Sequence, residues 1–289
     1  MTDLERSLII QALDEDTGRG DPTTAATIDP SIGGSAYFLA KADGILAGID
    51  IAGEVFGIYA ARSGRENTVR FEKKTSDGNP ISSGDHPAKV NAPLDILLTA
   101  ERVSLNLLQR MCGIATLTRE YVKTVQGTNA KILDTRKTAP LLRPFDRYGV
   151  TCGGGKNHRY SLAEMILVKD NHISANDMDL VRVLDKLKKY FDGGAHPLIP
   201  VEIEVTSLEQ FKILLDHGKS IVNRVLFDNF ELNALREVVE MNTGIFETEA
   251  SGGVTLRSVR AIAETGVNYI SVGALTHSVT GLDISLEIE

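Results

Sequence analysis

Apolar and polar positions along the chain change period twice. Leu4, Leu8, Ile9 and Leu13 recur at helical spacing, and the run GRGDP from Gly18 to Pro22 ends that helix. SAYFLAKADGILAGI, 35–49, predicts a hairpin turning at Asp43 and Gly44, and ENTVRFEKKT, 66–75, predicts a further strand. SDGNPISSGDHP, 76–87, is turn chemistry throughout. Together these pieces describe an α+β module with its own sheet. From Pro93 to Val125 the period becomes helical, with Leu97, Leu98, Val103, Leu107, Leu108 and Met111 as the apolar stripe and a break expected at Gly113. Glu101, Arg102, Asn106 and Arg110 share the polar side of this helix, which on spacing alone is an exposed surface.

After Asn129 short apolar runs alternate with helical stretches. The runs are KILD (131–134), MILVKD (165–170), VEIEV (201–205), RVLFD (224–228), IFETEAS (245–251) and YISVG (269–273). Helical patterns lie between most of them, at 177–190, 207–217, 232–241 and 256–265. This alternation indicates parallel β/α units, and six in succession fit a barrel or a doubly wound sheet. The polar groups favour the barrel. Arg136, Lys137, Lys169, Glu204, Asp228, Ser251 and Gly273 all fall at or just past the carboxyl ends of these strands, which in a β/α barrel converge on one face. LDISLEIE, 282–289, instead alternates with period two, as a half-exposed antiparallel strand does, and is expected to return to the sheet of the amino-terminal module.

Composition narrows the classes of function. The chain of 289 residues has a formal charge of −8, which argues against a nucleic-acid partner. No run approaches the length of a membrane span, and MTDLERSLIIQAL lacks the basic head of an export signal, so a cytoplasmic location is expected. Two cysteines, Cys112 and Cys152, make no disulfide framework. Against this acidic background, 134–172 holds seven Lys or Arg and four acids, a formal +3. Cations gathered in a dry pocket need a counter-charge, so the segment points to an anionic ligand.

Several motifs refine that chemistry. SGGV at 251–254, followed by a helical pattern, and VGALTHS at 272–278 match the phosphate site that barrels build from their last two β/α loops. CGGGKNH at 152–158 fails as a Walker loop, because Val150 stands at the required Gly and Asn157 follows the Lys. As a zinc site it offers Cys152, His158 and His172 without a CxxC or HExxH pair. A flexible glycine loop bringing Lys156, His158 and Arg159 to a ligand is the better reading. Lys169 by itself could form a Schiff base, yet the neighbouring cations suit carboxylates or phosphates better.

DTRKTAP, CGGGKNHR, ILVKDNH, VEIEV, LFDNF, FETEASGGV and ISVGALTHS, in this order, together with AERVSLNLLQRMCGIAT, resemble the quinolinate phosphoribosyltransferases. The resemblance covers nearly the whole chain. It implies an α/β fold with an incomplete α/β barrel and an α+β open-sandwich amino-terminal domain, here divided as 1–112 with the strand 279–289, and 113–278. It also implies a homodimer or hexamer in which one chain's amino-terminal domain covers the other's barrel mouth. By resemblance, Arg136, His158, Arg159 and Lys169 hold the carboxylates of quinolinate and nearby phosphates, Lys137 lies close to phosphoribosyl pyrophosphate, and Arg102 is donated across the dimer. Glu204 and Asp228 match the carboxylates that hold the ribose hydroxyls and Mg²⁺, with Glu202 expected on the opposite side of its strand. Ser251, Gly252, Gly253, Gly273 and Ala274 match the 5′-phosphate cradle. HGKSIVNRV before Leu226 is longer than in many bacterial members.

The activity implied is transfer of the phosphoribosyl group to quinolinate with loss of CO₂, a step in NAD biosynthesis that uses Lys137, Lys169, Glu204 and Asp228 and no protein nucleophile. A related phosphoribosyl-transferring paralogue, a Lys169 aldolase and a non-catalytic phosphate binder are the rival readings. Release of CO₂, borohydride trapping and product formation separate them.

Overall fold

The structure is a computed structural model that describes residues 1–192, 194 and 197–289. In chain order the first elements are α1 (Asp3–Thr17), α2 (Pro22–Thr27), β1 (Gly33–Ala40), β2 (Gly44–Ile45), α3 (Ile49–Arg62), β3 (Arg70–Lys73), β4 (Pro80–Ile81), β5 (Ala88–Pro93) and α4 (Leu94–Thr124). There follow β6 (Lys131–Leu133), α5 (Arg143–Cys152), β7 (Ile166–Val168), α6 (Asp170–Ser174), α7 (Leu180–Asp192), β8 (Val201–Val205), α8 (Leu208–His217), β9 (Arg224–Asp228), α9 (Leu232–Asn242), β10 (Glu247–Ser251), α10 (Val259–Ala263), β11 (Tyr269–Ser271), α11 (Ala274–His277) and β12 (Ile284–Ile288). They form two compact units. One comprises Met1–Arg119, Lys137–Gly155 and Ala274–Glu289; the other comprises Glu120–Arg136 and Lys156–Gly273. This division differs from a single boundary at 112/113, since 113–119, 137–155 and 274–278 group with the amino-terminal residues.

The first unit is built on an antiparallel sheet of order β12-β1-β5-β3. Thr2 and Glu5 close a capping box at the start of α1, whose Leu8, Ile9 and Leu13 are buried, while Leu4 is exposed. In β1, Ala36, Phe38 and Ala40 enter the core, and the carboxyl-terminal strand pairs antiparallel with them, Phe38 opposite Leu286 and Ala40 opposite Ile284. The hairpin expected at Asp43 and Gly44 does not form: β1 lies between β12 and β5, whereas β2 pairs with β4. A Cβ at Gly44 would stand 2.6 Å from Leu282 Cδ2 and 2.8 Å from Thr116 Oγ1, so the chain here is pressed against other side chains and cannot fold back along β1.

Helix α4 also departs from its expected break. It runs unbroken through Gly113, because a glycine inside a helix costs only about 1 kcal/mol. The reason for glycine is space: a Cβ would lie 2.0 Å from the carbonyl oxygen of Thr280. Arg110 likewise is no surface residue. Its guanidinium holds fully buried Asp146 through Nε and Nη2, at 2.6 and 2.9 Å, and reaches the Thr276 carbonyl at 3.2 Å.

Among the described residues the second unit is a six-stranded parallel sheet of order β6-β11-β10-β9-β8-β7. β6 and β7 end the array unpaired to each other, the open arrangement of an incomplete barrel. Its strands are short and buried, as parallel strands covered on both sides are. Ser207 caps α8 by accepting from the Gln210 amide. Helix α7 starts three residues later than its pattern, since Asp177 and Met178 both adopt positive φ. The stretch 256–265 contains only the five-residue α10, because Thr255 and Ser258 bond each other's side chains and backbone in a turn just before it. The longer HGKSIVNRV segment forms the connection from α8 into β9.

Candidate active site

The carboxyl ends of β7, β8, β9 and β10 carry the polar groups that the strand pattern singled out. Lys169 follows β7 and its Nζ pairs directly with Glu204 Oε2 on the neighbouring strand β8. The Lys169 side chain is 46% exposed. A solvated ammonium with a carboxylate partner lacks the desolvated surroundings a Schiff-base lysine needs, which weighs against the aldolase reading. One strand further, Asp228 accepts from Ser251 Oγ at 2.6 Å and from Asn229 Nδ2 at 2.7 Å, the parallel register placing Ser251 beside Asp228.

Beyond Ser251 the chain turns through Gly252 and Gly253, with φ of +94° and +56°. At Gly252 a Cβ would lie 2.2 Å from Asn229 Oδ1, so both the backbone angle and the space require glycine. The expected helix amino terminus is not at this turn, because α10 begins only at Val259. Gly273 lies just past β11, where the Val272 amide donates to the Leu133 carbonyl. Ala274 opens the four-residue α11 and belongs to the other compact unit.

The basic wall starts at the end of β6. Arg136 is half-buried, and its Nε is buried without a hydrogen-bond partner. Arg159 is also half-buried and donates through Nη1 to the Met165 carbonyl at 2.8 Å. Burial, and then the positive charge of Arg136, push the Arg159 guanidinium below its ordinary pKa. Two guanidinium groups that repel, one with an orphaned buried donor, are what an anionic carboxylate or phosphate satisfies. Lys156 is exposed; its backbone bonds to β6 through the Ile132 carbonyl.

His158 sits deeper than the sequence reading placed it, its side chain 7% exposed. Its backbone N–H donates to buried Asp134 at 2.7 Å, and its Nδ1 accepts from the Arg159 backbone N–H at 2.7 Å, which leaves the ring proton on Nε2. Nε2 lies 3.1 Å from Glu202 Oε2 and 3.6 Å from Glu249 Oε2. These are close electrostatic approaches without hydrogen-bond alignment, since neither oxygen of Glu202 has a hydrogen-bond partner. Burial lowers the His158 pKa, against the attraction of Glu249, so the ring is neutral near pH 7.

Both acids are fully buried. Burial raises Glu202 to about 7, opposed by Arg224, and raises Glu249 to about 7, reinforced by the neighbouring Glu202. Arg224 supplies the counter-charge, with Nη1 3.1 Å from Glu249 Oε2 and its guanidinium 4.0 Å above the Tyr269 ring. Burial opposes that charge, but Glu202, Glu249 and Glu247 together hold the Arg224 pKa above its usual value.

Glu202 was expected to turn away from Glu204. That expectation fails, since residues two apart on a strand share a face. Glu249, Arg224 and Asp134 were not singled out in the sequence, although the same alternation in FETEAS places Glu247 and Glu249 on one face of β10.

Metal chemistry divides between two places. The imidazole and carboxylates of His158, Glu202 and Glu249 have ligand atoms within 4.8 Å of one another, but Arg224 already occupies the role of cation there. Glu204 and Asp228 offer hard oxygen donors on adjacent strands, the donor type and small number with which Mg²⁺ joins a substrate phosphate. His172 is exposed and its Nδ1 accepts from the Lys169 backbone N–H at 2.9 Å, and Cys152 belongs to the other compact unit.

Within the first unit Lys137 is exposed, and its carbonyl accepts from Thr276 Oγ1 at 2.9 Å. Arg102 on α4 has a side chain 58% exposed, with Glu101 Oε1 3.5 Å away. Two glycines of the CGGGK segment are closely packed: a Cβ at Gly153 would stand 2.5 Å from Thr118 Cβ, and one at Gly155 2.8 Å from Thr118 Cγ2.

Known proteins resemble this chain in sequence and fold. The family description "Quinolinate phosphoribosyl transferase, N-terminal domain" matches residues 21–112, and its C-terminal counterpart matches residues 114–287. A quinolinate phosphoribosyltransferase (decarboxylating) of Nicotiana tabacum is 42% identical over 291 residues, spanning 96% of this chain and 80% of that protein. A probable nicotinate-nucleotide pyrophosphorylase (carboxylating) of Bacillus subtilis is 39% identical over 274 residues, spanning 95% and 90%. The solved nicotinate-nucleotide pyrophosphorylase of Francisella tularensis superposes with a TM-score of 0.87 at 32% identity, over 99% of this chain and 96% of that one. With the two family domains matched over residues 21–112 and 114–287 and relatives about 40% identical over nearly the whole chain, the chain belongs to the quinolinate phosphoribosyltransferase family.

Proposed function

We infer that the protein joins quinolinate to phosphoribosyl pyrophosphate, giving nicotinate mononucleotide, pyrophosphate and CO₂ in the biosynthesis of NAD. The observation that carries this is the pair Arg136 and Arg159, mutually repelling and partly buried, in the loops after β6 and before β7 of the sheet whose strand ends carry the Lys169–Glu204 and Asp228–Ser251 pairs. The first pair suits a dicarboxylate; the second set suits a ribose bearing phosphates. The decarboxylating and carboxylating names of the relatives support the same reaction.

In this reading the pyridine nitrogen attacks C1 of the ribose as pyrophosphate departs. Positive charge develops on the ribose, and the carboxylates of Glu204 and Asp228 stabilise it electrostatically. Arg136, Arg159 and Lys169 hold the two quinolinate carboxylates so that nitrogen faces C1, and Lys137 neutralises phosphate charge. The carboxylate beside the nitrogen leaves as CO₂ because the newly cationic ring accepts its electrons. The turn at Ser251, Gly252 and Gly253, with Gly273 and Ala274, takes the 5′-phosphate. Glu204 and Asp228 would hold Mg²⁺, which when bound neutralises charge on the departing pyrophosphate.

We further propose a homo-oligomer in which Arg102 of one chain reaches the site of another, supported by its exposed place on α4. A reducing compartment fits the free Cys112 and Cys152. Among the described residues no helix is long and apolar enough to cross a membrane.

The deciding experiment incubates the purified protein with both substrates, with and without Mg²⁺, and follows nicotinate mononucleotide and CO₂ together. Equal release of the two, dependent on Mg²⁺, is the expected result. Product formed from nicotinate without CO₂ would favour a nicotinate-specific enzyme, and binding without product would favour a phosphate binder.

A further inference from the structure

The described residues hold one buried ionic cluster that the reaction above does not use. It comprises Glu202 on β8, Arg224 on β9 and Glu249 on β10, and it meets the basic wall at His158. The connection runs through named atoms. Arg224 lies over the Tyr269 ring and bonds Glu249, whose Oε2 stands 3.6 Å from His158 Nε2, with Glu202 Oε2 3.1 Å from the same nitrogen. On its other side the imidazole accepts the backbone N–H of Arg159 through Nδ1 at 2.7 Å. Both nitrogens of His158 therefore face protein groups, and its backbone is tied to Asp134.

We propose that Glu202 and Glu249 are positioning residues for the dicarboxylate substrate, acting through His158 to hold the backbone, and hence the guanidinium, of Arg159. Four observations lead there. The two carboxylates approach only the proton-bearing nitrogen, so they select the tautomer whose Nδ1 can accept from Arg159. The Arg159 guanidinium is anchored at its far end by the Met165 carbonyl, so fixing its backbone fixes the whole side chain. Glu202 and Glu249 are fully buried and so are not placed to touch a ligand themselves. Arg224 balances their charge at Glu249 Oε2, the same oxygen that His158 approaches, which lets two acids stand beneath a cationic wall. The role assigned to His158 is thus to orient an arginine, as an outer partner orients a ligand-binding side chain elsewhere.

The inference rests on the functional reading above, and the experiment separates the two. Wild-type protein is assayed first with quinolinate and phosphoribosyl pyrophosphate; no nicotinate mononucleotide would overturn the functional reading and this inference with it. Glu202→Ala, Glu202→Gln, His158→Ala and the double variant Glu202→Ala/His158→Ala are then compared, with circular dichroism confirming the fold. Glu202→Ala is expected to raise KM for quinolinate about tenfold while kcat and KM for phosphoribosyl pyrophosphate move less than about threefold. Glu202→Gln keeps an oxygen acceptor in the same shape and is expected to restore most of that loss.

The double variant should be no worse than His158→Ala alone, because both changes break one connection. If Glu202→Ala fails to fold, the same comparison is made with Glu202→Leu and Glu249→Leu, which lose the carboxylate oxygens but keep side-chain bulk, reading quinolinate binding by calorimetry. Multiplicative losses in the double variant, a fall in kcat at constant KM, or unaltered quinolinate binding in both leucine variants would overturn the proposal in a wild-type protein that remains active.

Discussion

Lys169 and Glu204 form a direct ion pair between the ends of β7 and β8, and Glu204 is the buried partner. Each neutralises the other. Removing one leaves its partner's charge uncompensated, at a cost of about 1.5–3 kcal/mol for a charged hydrogen bond. Lys169→Ala and Glu204→Gln are therefore each expected to lower kcat/KM by about tenfold to a hundredfold, as measured by nicotinate mononucleotide formation. Borohydride with a carbonyl substrate should trap no adduct on Lys169; a trapped adduct would return the aldolase reading.

Arg159 presents a planar, forked donor beside Arg136. Arg159→Ala should weaken quinolinate turnover by about tenfold or more. Arg159→Lys should recover little, because a lysine cannot reproduce both the Met165 anchor and a two-pronged grip on a carboxylate. A near-wild-type rate for either variant would remove Arg159 from the site.

Gly252 combines a φ of +94° with a Cβ position 2.2 Å from Asn229 Oδ1. Gly252→Ala must therefore shift Asn229, which also donates to Asp228. The expected outcome is a raised KM for phosphoribosyl pyrophosphate together with a stability loss of about 1–3 kcal/mol, read by thermal denaturation. Gly253→Ala, with no atom within 4 Å of the new Cβ, should cost less stability.

The pKa of Glu249, raised to about 7 by burial and then by Glu202, makes stability depend on pH. Its unfolded-state value is the ordinary 4.5. Between the two values the native state keeps a proton the unfolded state loses, so this group's contribution falls as pH rises. His158, with its lowered pKa, works in the opposite direction, its penalty growing as pH drops below 6.5. Glu202, also raised to about 7, acts in the same direction as Glu249, and His158 opposes both in the wild type. Glu249→Gln removes the Glu249 contribution, so its melting temperature should gain on that of the wild type as pH goes from about 5 to about 7. A difference that stays constant with pH would show that Glu249 does not titrate in this window.

Arg102 tests whether sites are shared between chains. Arg102→Ala and Lys169→Ala chains, each impaired alone, should regain some activity when mixed under exchange conditions, because a heterodimer then carries one intact site. No recovery after exchange is confirmed by mass analysis would place Arg102 outside the partner's site.

Much of this molecule can be read along the chain because its signals are local. A strand of period two declares its buried face, so LDISLEIE could be assigned to the amino-terminal sheet, where it pairs with β1. VEIEV and RVLFD match β8 and β9 residue for residue, and their terminal acids mark the carboxyl ends where the site stands. Other features depend on what approaches from far along the chain. Gly113 reads as a helix break and is instead a contact with Thr280; Arg110 reads as surface and instead holds Asp146. No local pattern distinguishes these outcomes, because each depends on a neighbour 36 to 167 residues away. The same holds for His158. Its place in a basic motif marks it as a ligand-binding cation, but whether its ring carries charge depends on burial among Glu202, Glu249 and Arg224, and burial is a property of three strands packed together.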